Sequence, residues 1–215
     1  MKITSKQDTA REARFWNRIA KRYAQKPVPN QEVYEQKLER TRAYLNSQDK
    51  VLEIGCGTGS TALLHAKDVA HILATDISEK MIEIASNKAR EQRVDNITFE
   101  VARVEDIGAR ATTFDVILAH SILHLLPDVE GTLRALAMML KPGGFLIGTT
   151  ACIADFMPVF RYIAPIGKAL GIFPYVNIFS EQEFKAWLIA AGFELEESWL
   201  PSPKSGLYTV ARKTS

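Results

Sequence analysis

This 215-residue chain has little cysteine and little net charge. Only Cys56 and Cys152 are present, far apart and without metal-type spacing. That excludes a disulfide framework, predicts no bound metal and fits a reducing cytoplasm, the expected compartment. The 27 basic side chains nearly match the 25 acidic ones, leaving a net charge of +2. A dedicated nucleic-acid binder concentrates a basic excess, so no nucleic-acid partner is expected. Apolar runs are short, and none reaches the roughly 18 residues of a spanning helix. The polar start MKITSKQDTAREAR has no apolar signal core, so neither a transmembrane segment nor a secretion signal is expected. Internal repeats and low-complexity tracts are also missing.

What is present is enough for a core. Apolar residues make up 47% of the chain, and the length predicts one domain over 1–215. Charge clusters at one place, Lys2, Lys6, Arg11, Arg14, Arg18, Lys21, Arg22 and Lys26. This reads as the solvated face of a helix; attraction to anionic membrane surfaces or ligands is the alternative.

After residue 48 the pattern alternates between strand and helix. Short apolar runs at 50–54, 71–76, 97–102, 114–120 and 145–150 read as strands. Helical patterns separate them at 60–68, 78–93 (with Ser78 as N-cap) and 128–140, the last stopped by KPGG at 141–144. Strands this apolar suit a parallel sheet buried on both faces. Residues 180–193 open with the capping-box pair Ser180 and Glu183 and close on Gly192. Then 193–200 and 207–212 read as a strand pair. Two segments stand outside the alternation. Residues 9–47 predict two helices, the first with Phe15, Trp16, Ile19 and Tyr23 on one side. Residues 151–179 form a helical cap insertion rich in Phe, Ile and Met, placed to overhang the sheet edge where open α/β folds bind ligands.

VLEIGCGTGS, residues 51–60, joins the first strand to a helix through Gly55, Gly57 and Gly59. Glycines at alternate positions allow a tight turn and a ligand against the backbone. Asp76 ends the second strand, placed to accept hydrogen bonds from ribose hydroxyls. Ser60 stands where the dinucleotide fingerprint has its third glycine, and the loop has no lysine for a triphosphate. Glu53 would repel a pyrophosphate but attract a cationic amine; a strand-end carboxylate bonded to backbone amides is the alternative.

The series EIGCGTG, ATDIS, FDVIL and LKPGG, in this order from about 50 to 150, resembles the class I S-adenosylmethionine-dependent methyltransferases. The resemblance implies an α/β three-layer sandwich around a mostly parallel seven-stranded sheet with its last strand antiparallel, here carrying N-terminal helices and a cap. It implies S-adenosylmethionine as cofactor. Glu53 and the amides from Gly55 through Cys56 and Gly57 to Gly59 would line its methionine part, and Asp76 would hold its ribose. Ile77 and Met81 would pack on the adenine, with plain core as the alternative for Met81. Tyr23 would close over the cofactor or simply pack its helix. Arg103 stands where the family has an adenine-binding Asp, and an Arg cannot accept that hydrogen bond. Adenine recognition then falls to Val104 and Glu105.

Methyl transfer is an in-line displacement that depends on alignment, and a base is optional. His120, Ser121 and His124 in AHSILHLLPD, the stretch that the resemblance places against the sulfonium and the acceptor, are the candidates, with the two histidines four apart and so on one face if helical. His120 is expected to line the cofactor pocket through its backbone; His124 is either a base or a histidine bonded to backbone. His65 and His71 read as surface or helix-end residues. The cap suggests a small apolar or aromatic acceptor with Arg161 and Tyr162 orienting it, a cap packed on its own core, or a dimer contact through an exposed apolar patch. A monomer or homodimer is expected. Two readings compete: an S-adenosylmethionine-binding sensor or partner subunit, and an NAD-dependent oxidoreductase, against which Ser60 and Glu53 count.

Overall fold

The computed structural model describes residues 6–108, 113–169, 173–203 and 205–214. Residues 170–172 of the expected cap lie outside the described residues. Two helices come first, α1 (Lys6–Ala24) and α2 (Gln31–Arg42). The alternating core follows: β1 (Lys50–Ile54), α3 (Ser60–His65), β2 (His71–Asp76), α4 (Glu79–Gln92), β3 (Ile97–Val101), α5 (Val104–Gly108), β4 (Phe114–His120), α6 (Val129–Met139) and β5 (Leu140–Thr150). The cap holds α7 (Ile153–Phe156) and α8 (Phe160–Ala169), and α9 (Glu181–Ala190), β6 (Phe193–Trp199) and β7 (Leu207–Lys213) close the chain.

The seven strands form one sheet in the order β3-β2-β1-β4-β5-β7-β6. β1 to β5 run parallel, and β7 inserts antiparallel between β5 and β6. Both sheet faces are covered, which is why these strands carry apolar residues at consecutive positions. On one face Leu52, Ile117 and Leu146 pack with Leu133 and Leu136 of α6 and Phe184 and Leu188 of α9. On the other, Val51, Val116 and Leu118 pack with Ala62 of α3 and Ile82 of α4.

The helix ends follow the expected chemistry. Ser78 accepts the N–H of Met81 at the start of α4, and Ser180 and Glu183 form the capping box of α9. Two local features differ from expectation. β5 begins at Leu140, not 145, because Leu140 pairs with Phe114 before the ladder resumes at Phe145 opposite Val116. Residues 141–144 bulge out between them, anchored by a 2.6 Å ion pair from Lys141 to Asp115. Second, α5 carries no apolar periodicity long enough to announce it. Its start is fixed by Asp106, which accepts the Arg103 N–H at 3.1 Å.

Candidate active site

The strand order reverses between β1 and β4, and parallel sheets open a crevice at such a point beyond their C-terminal ends. A cavity of about 160 Å³ lies there. The tips of β1, β2 and β4 form its floor through Ile54, Gly55, Asp76 and His120. Ile77, Met81, Val104 and Glu105 line one side. α1 forms another wall with Thr9, Glu12, Trp16 and Tyr23, and the segment after β4 adds Ser121, Ile122 and Leu125–Asp128.

The three loop glycines are required for three different reasons. All have positive φ: 63° at Gly55, 55° at Gly57 and 73° at Gly59. A Cβ on Gly55 would strike the Ile122 side chain at 2.6 Å. One on Gly59 would strike Ala85 and the Phe99 ring at 2.8 Å. One on Gly57 would meet only the Tyr23 ring, at 3.9 Å. Gly57 is thus the glycine that keeps space for a ligand; Gly59 seats the loop on α4 and β3.

Asp76 organises this corner. Its Oδ2 accepts the Gly57 N–H at 3.0 Å and its Oδ1 the Ser78 N–H at 2.8 Å. Burial raises its pKa, and these amide bonds partly offset the rise. Asn17 of α1 joins in: its Oδ1 accepts the Ser78 hydroxyl at 2.6 Å and the Lys80 N–H at 3.1 Å. Tyr23 sits across from Asp76, and burial of its hydroxyl end, with the Asp76 charge, pushes its pKa up. Trp16 meets the Tyr23 ring edge-on at 6.3 Å.

Several expected site residues lie off the cavity. Glu53 is buried behind the loop. Its Oε2 has no partner, and burial followed by the Asp76 charge pushes its pKa up to about 8, a rise the nearby Ala62 amide only partly offsets. Glu53 thus lies off the cavity lining, with a buried carboxylate oxygen that no described group satisfies. Cys56 turns into the second core cluster, where burial holds its thiol well above the usual range. The amides of Cys56, Gly57 and Gly59 are spent on Thr75 O, Asp76 and Cys56 O. The loop thus offers a ligand space rather than those three donors, a correction to the expected amide cradle.

The two histidines do not share a helical face. His120 ends β4, Ser121 turns with φ 57°, and His124 sits in a 3-10 turn over 123–125. By strand alternation the His120 ring turns with Val116 and Leu118, toward His65 and Lys37. Burial, then His65 and Lys37, push its pKa down to about 3, and its Nε2 has no partner. His124 does not line the cavity. Its Nδ1 accepts the Ala151 N–H at 3.4 Å, its carbonyl accepts the Asn177 N–H at 2.7 Å, and burial lowers its pKa to about 4. His65 ends α3 as expected but is fully buried rather than at the surface.

Adenine-side expectations meet a specific arrangement. Arg103 lines the cavity, but its guanidinium is held in two bonds by Asp106, at 3.0 and 2.7 Å. Val104 and Glu105 line the cavity beside it. The cap does not overhang the cavity with side chains: no described residue of 151–179 lines it, and Tyr162 is 76% exposed. Instead Phe179 packs against Phe184 and Trp187, and Phe160 against Phe173. The sequence marks Trp16 only as a packing residue and gives no sign of Thr9, Glu12 or Asn17, whereas the 125–128 wall falls within the AHSILHLLPD stretch expected to face the reacting groups. The amphipathic first helix was the available signal, since a helix lying over a ligand site shows it one face.

A profile of the methyltransferase domain matches residues 45–192. The chain is 32% identical over 154 residues to the ubiquinone biosynthesis O-methyltransferase of Xanthomonas axonopodis pv. citri, covering 69% of this chain and 64% of that protein. It is 32% identical over 166 residues to the 27-O-demethylrifamycin SV methyltransferase of Amycolatopsis mediterranei, covering 72% and 57%. The chain thus spans less than two thirds of these curated relatives. Among solved structures, magnesium protoporphyrin IX methyltransferase from Synechocystis PCC 6803 with bound SAH shares the fold, with a TM-score of 0.72 at 19% identity over 96% of this chain and all of that one.

Proposed function

The chain belongs to the class I S-adenosylmethionine-dependent methyltransferases, and from that premise we propose that it methylates a hydroxyl of a small, largely apolar or aromatic acceptor. The observation that carries this is the cavity itself. It joins the open face of Gly57, the Asp76 carboxylate, Ile77 and Met81 to an apolar wall of Trp16, Leu125, Leu126 and Pro127. The cofactor's sulfonium supplies an already activated methyl group. Asp76 holds the ribose hydroxyls, with the lone pairs left by its amide bonds. Ile77 and Met81 flank the adenine, while Val104 and Glu105 serve its edge. Tyr23 and Trp16 cover the site from α1 and exclude water.

Positioning does most of the work in this reading. His124 does not line the cavity, and His120, which does, is held neutral by burial with its pKa near 3, so no histidine base is invoked. The hydroxyl assignment draws on the two relatives, both O-methylating by name. Isotope-labelled methyl transfer into cell extract, with mass detection of the product, tests the proposal and identifies the acceptor. Tight binding of S-adenosylmethionine without any labelled product would instead support a sensor or partner subunit. Tight NAD binding with no affinity for either sulfur nucleoside would overturn the cofactor assignment.

A further inference from the structure

α8 is amphipathic in an unusual sense: it turns an apolar stripe outward. Ala164 and Gly167 are buried, and Phe160 meets Phe173 at 5.6 Å. Tyr162 and Ile163 of α8 are 76% and 48% exposed, and Val159 in the turn before it is 60% exposed. Met157 adds to the patch at 47%. Contiguous exposed apolar surface of this kind marks a contact with something.

Charge says what the contact is. α1 carries six basic and two acidic side chains, a net +4, so the rest of the chain is net −2. Its inner face lines the cavity through Thr9, Glu12 and Trp16. Its outer face exposes Arg11, Arg14, Arg18, Lys21 and Arg22. α1 and the cap are tied together: Glu12 Oε2 accepts the Tyr175 N–H at 3.1 Å. The segment that follows α8 therefore meets α1 at a residue, Glu12, that lines the cavity.

We propose that the outward faces of α8 and α1 form a docking surface for an anionic lipid bilayer. The apolar side chains of α8 enter the interface while the α1 cations meet the headgroups, the combination by which amphipathic helices hold a bilayer. A second copy of this chain fits less well, because pairing through this face would bring two helices of net +4 together. Docked this way, the cavity faces the lipid, and an apolar acceptor dissolved there reaches it without crossing water. Only that last consequence rests on the function proposed above.

The test is co-sedimentation of the full chain with vesicles, which needs no methyl transfer and so stands or falls apart from the enzymatic reading. Vesicles of phosphatidylcholine with about one third phosphatidylglycerol should capture the protein, and phosphatidylcholine alone should not. Salt at about 0.5 M should release it. The double variants Tyr162→Ser/Ile163→Ser and Arg14→Glu/Arg22→Glu change exposed positions. Each should weaken capture about tenfold with an unchanged unfolding temperature. The proposal is overturned by no capture, by equal capture on neutral vesicles, or by capture that neither variant weakens. It is also overturned if sedimentation velocity shows a dimer that Tyr162→Ser/Ile163→Ser dissolves, which would make the patch a contact between copies.

Discussion

The Gly57 N–H points at Asp76 Oδ2 across 3.0 Å, so the glycine loop and the end of β2 are one structural unit. The carboxylate proposed to hold the cofactor's ribose also sets the loop that gives the cofactor room. Asp76→Ala should therefore lose both functions. We expect affinity for S-adenosylmethionine to fall at least tenfold, about 1.4 kcal/mol or more, the range of a charge-assisted hydrogen bond. Titration calorimetry measures it, and unchanged affinity would show the ribose assignment to be wrong.

Ser78→Ala is the contrasting variant. It removes the N-cap of α4 and the bond to Asn17 but leaves Asp76 in place. Stability should drop by about 1 kcal/mol, with a smaller loss of affinity than Asp76→Ala causes. A larger loss would mean that the α1 anchor, rather than the carboxylate, controls binding.

Two alanine substitutions separate space for a ligand from packing. Gly59→Ala forces a Cβ against Ala85 and Phe99 at a left-handed φ. It should cost roughly 2–4 kcal/mol in urea unfolding, from strain plus overpacking. Gly57→Ala bears only the strain, about 1–2 kcal/mol, but its methyl group enters the cavity. Its signature is lost cofactor affinity in a protein that remains folded. If Gly57→Ala binds as well as wild type, the cofactor does not lie against this loop.

His124 bonds backbone and stands off the cavity, so His124→Ala should slow methyl transfer less than threefold (about 0.6 kcal/mol), while lowering the unfolding temperature. In the same way, the wild-type rate should show no inflection near the ordinary histidine pKa of about 6.5, because His120 and His124 stay neutral down to about 3 and 4. A rate that falls a hundredfold in a folded His124→Ala protein would restore it as a base.

Stability should peak slightly below neutral pH. His65, His120 and His124 have folded pKa values pushed down to about 4, 3 and 4, mainly by burial. The unfolded chain takes up their protons near 6.5, so their contribution is present above that pH and is lost as pH falls toward 4. Each adds up to roughly 1.4 kcal/mol per pH unit. Glu53 acts in the opposite sense. With its folded pKa raised to about 8, it stabilises fully below the ordinary 4.5 and loses that contribution as pH rises through 8. Urea midpoints against pH should show both limbs, and Glu53→Gln should flatten only the alkaline one. An alkaline decline that survives this substitution would place its origin elsewhere.

The sequence by itself determined the strand-helix alternation, the glycine loop and Asp76. These rest on local physics: apolar runs of strand length, positive φ that glycine allows, and caps such as Ser78 and Ser180. Resemblance in the order of motifs added the sheet and its reversed strand. Only the tertiary structure decided which residues meet in the cavity. Strand alternation turned the His120 ring toward His65, and the positive φ of Ser121 kept His124 from sharing its face. Gly59 proved to be packed against Phe99, a partner 40 positions away in sequence that no local pattern could name. α1 became a wall of the site through Asn17 and Glu12, because their partners, Ser78 and Tyr175, come near them only once the sheet has closed. Local propensity fixes elements; which side chains face one another depends on contacts between distant segments, and those exist only in the folded chain.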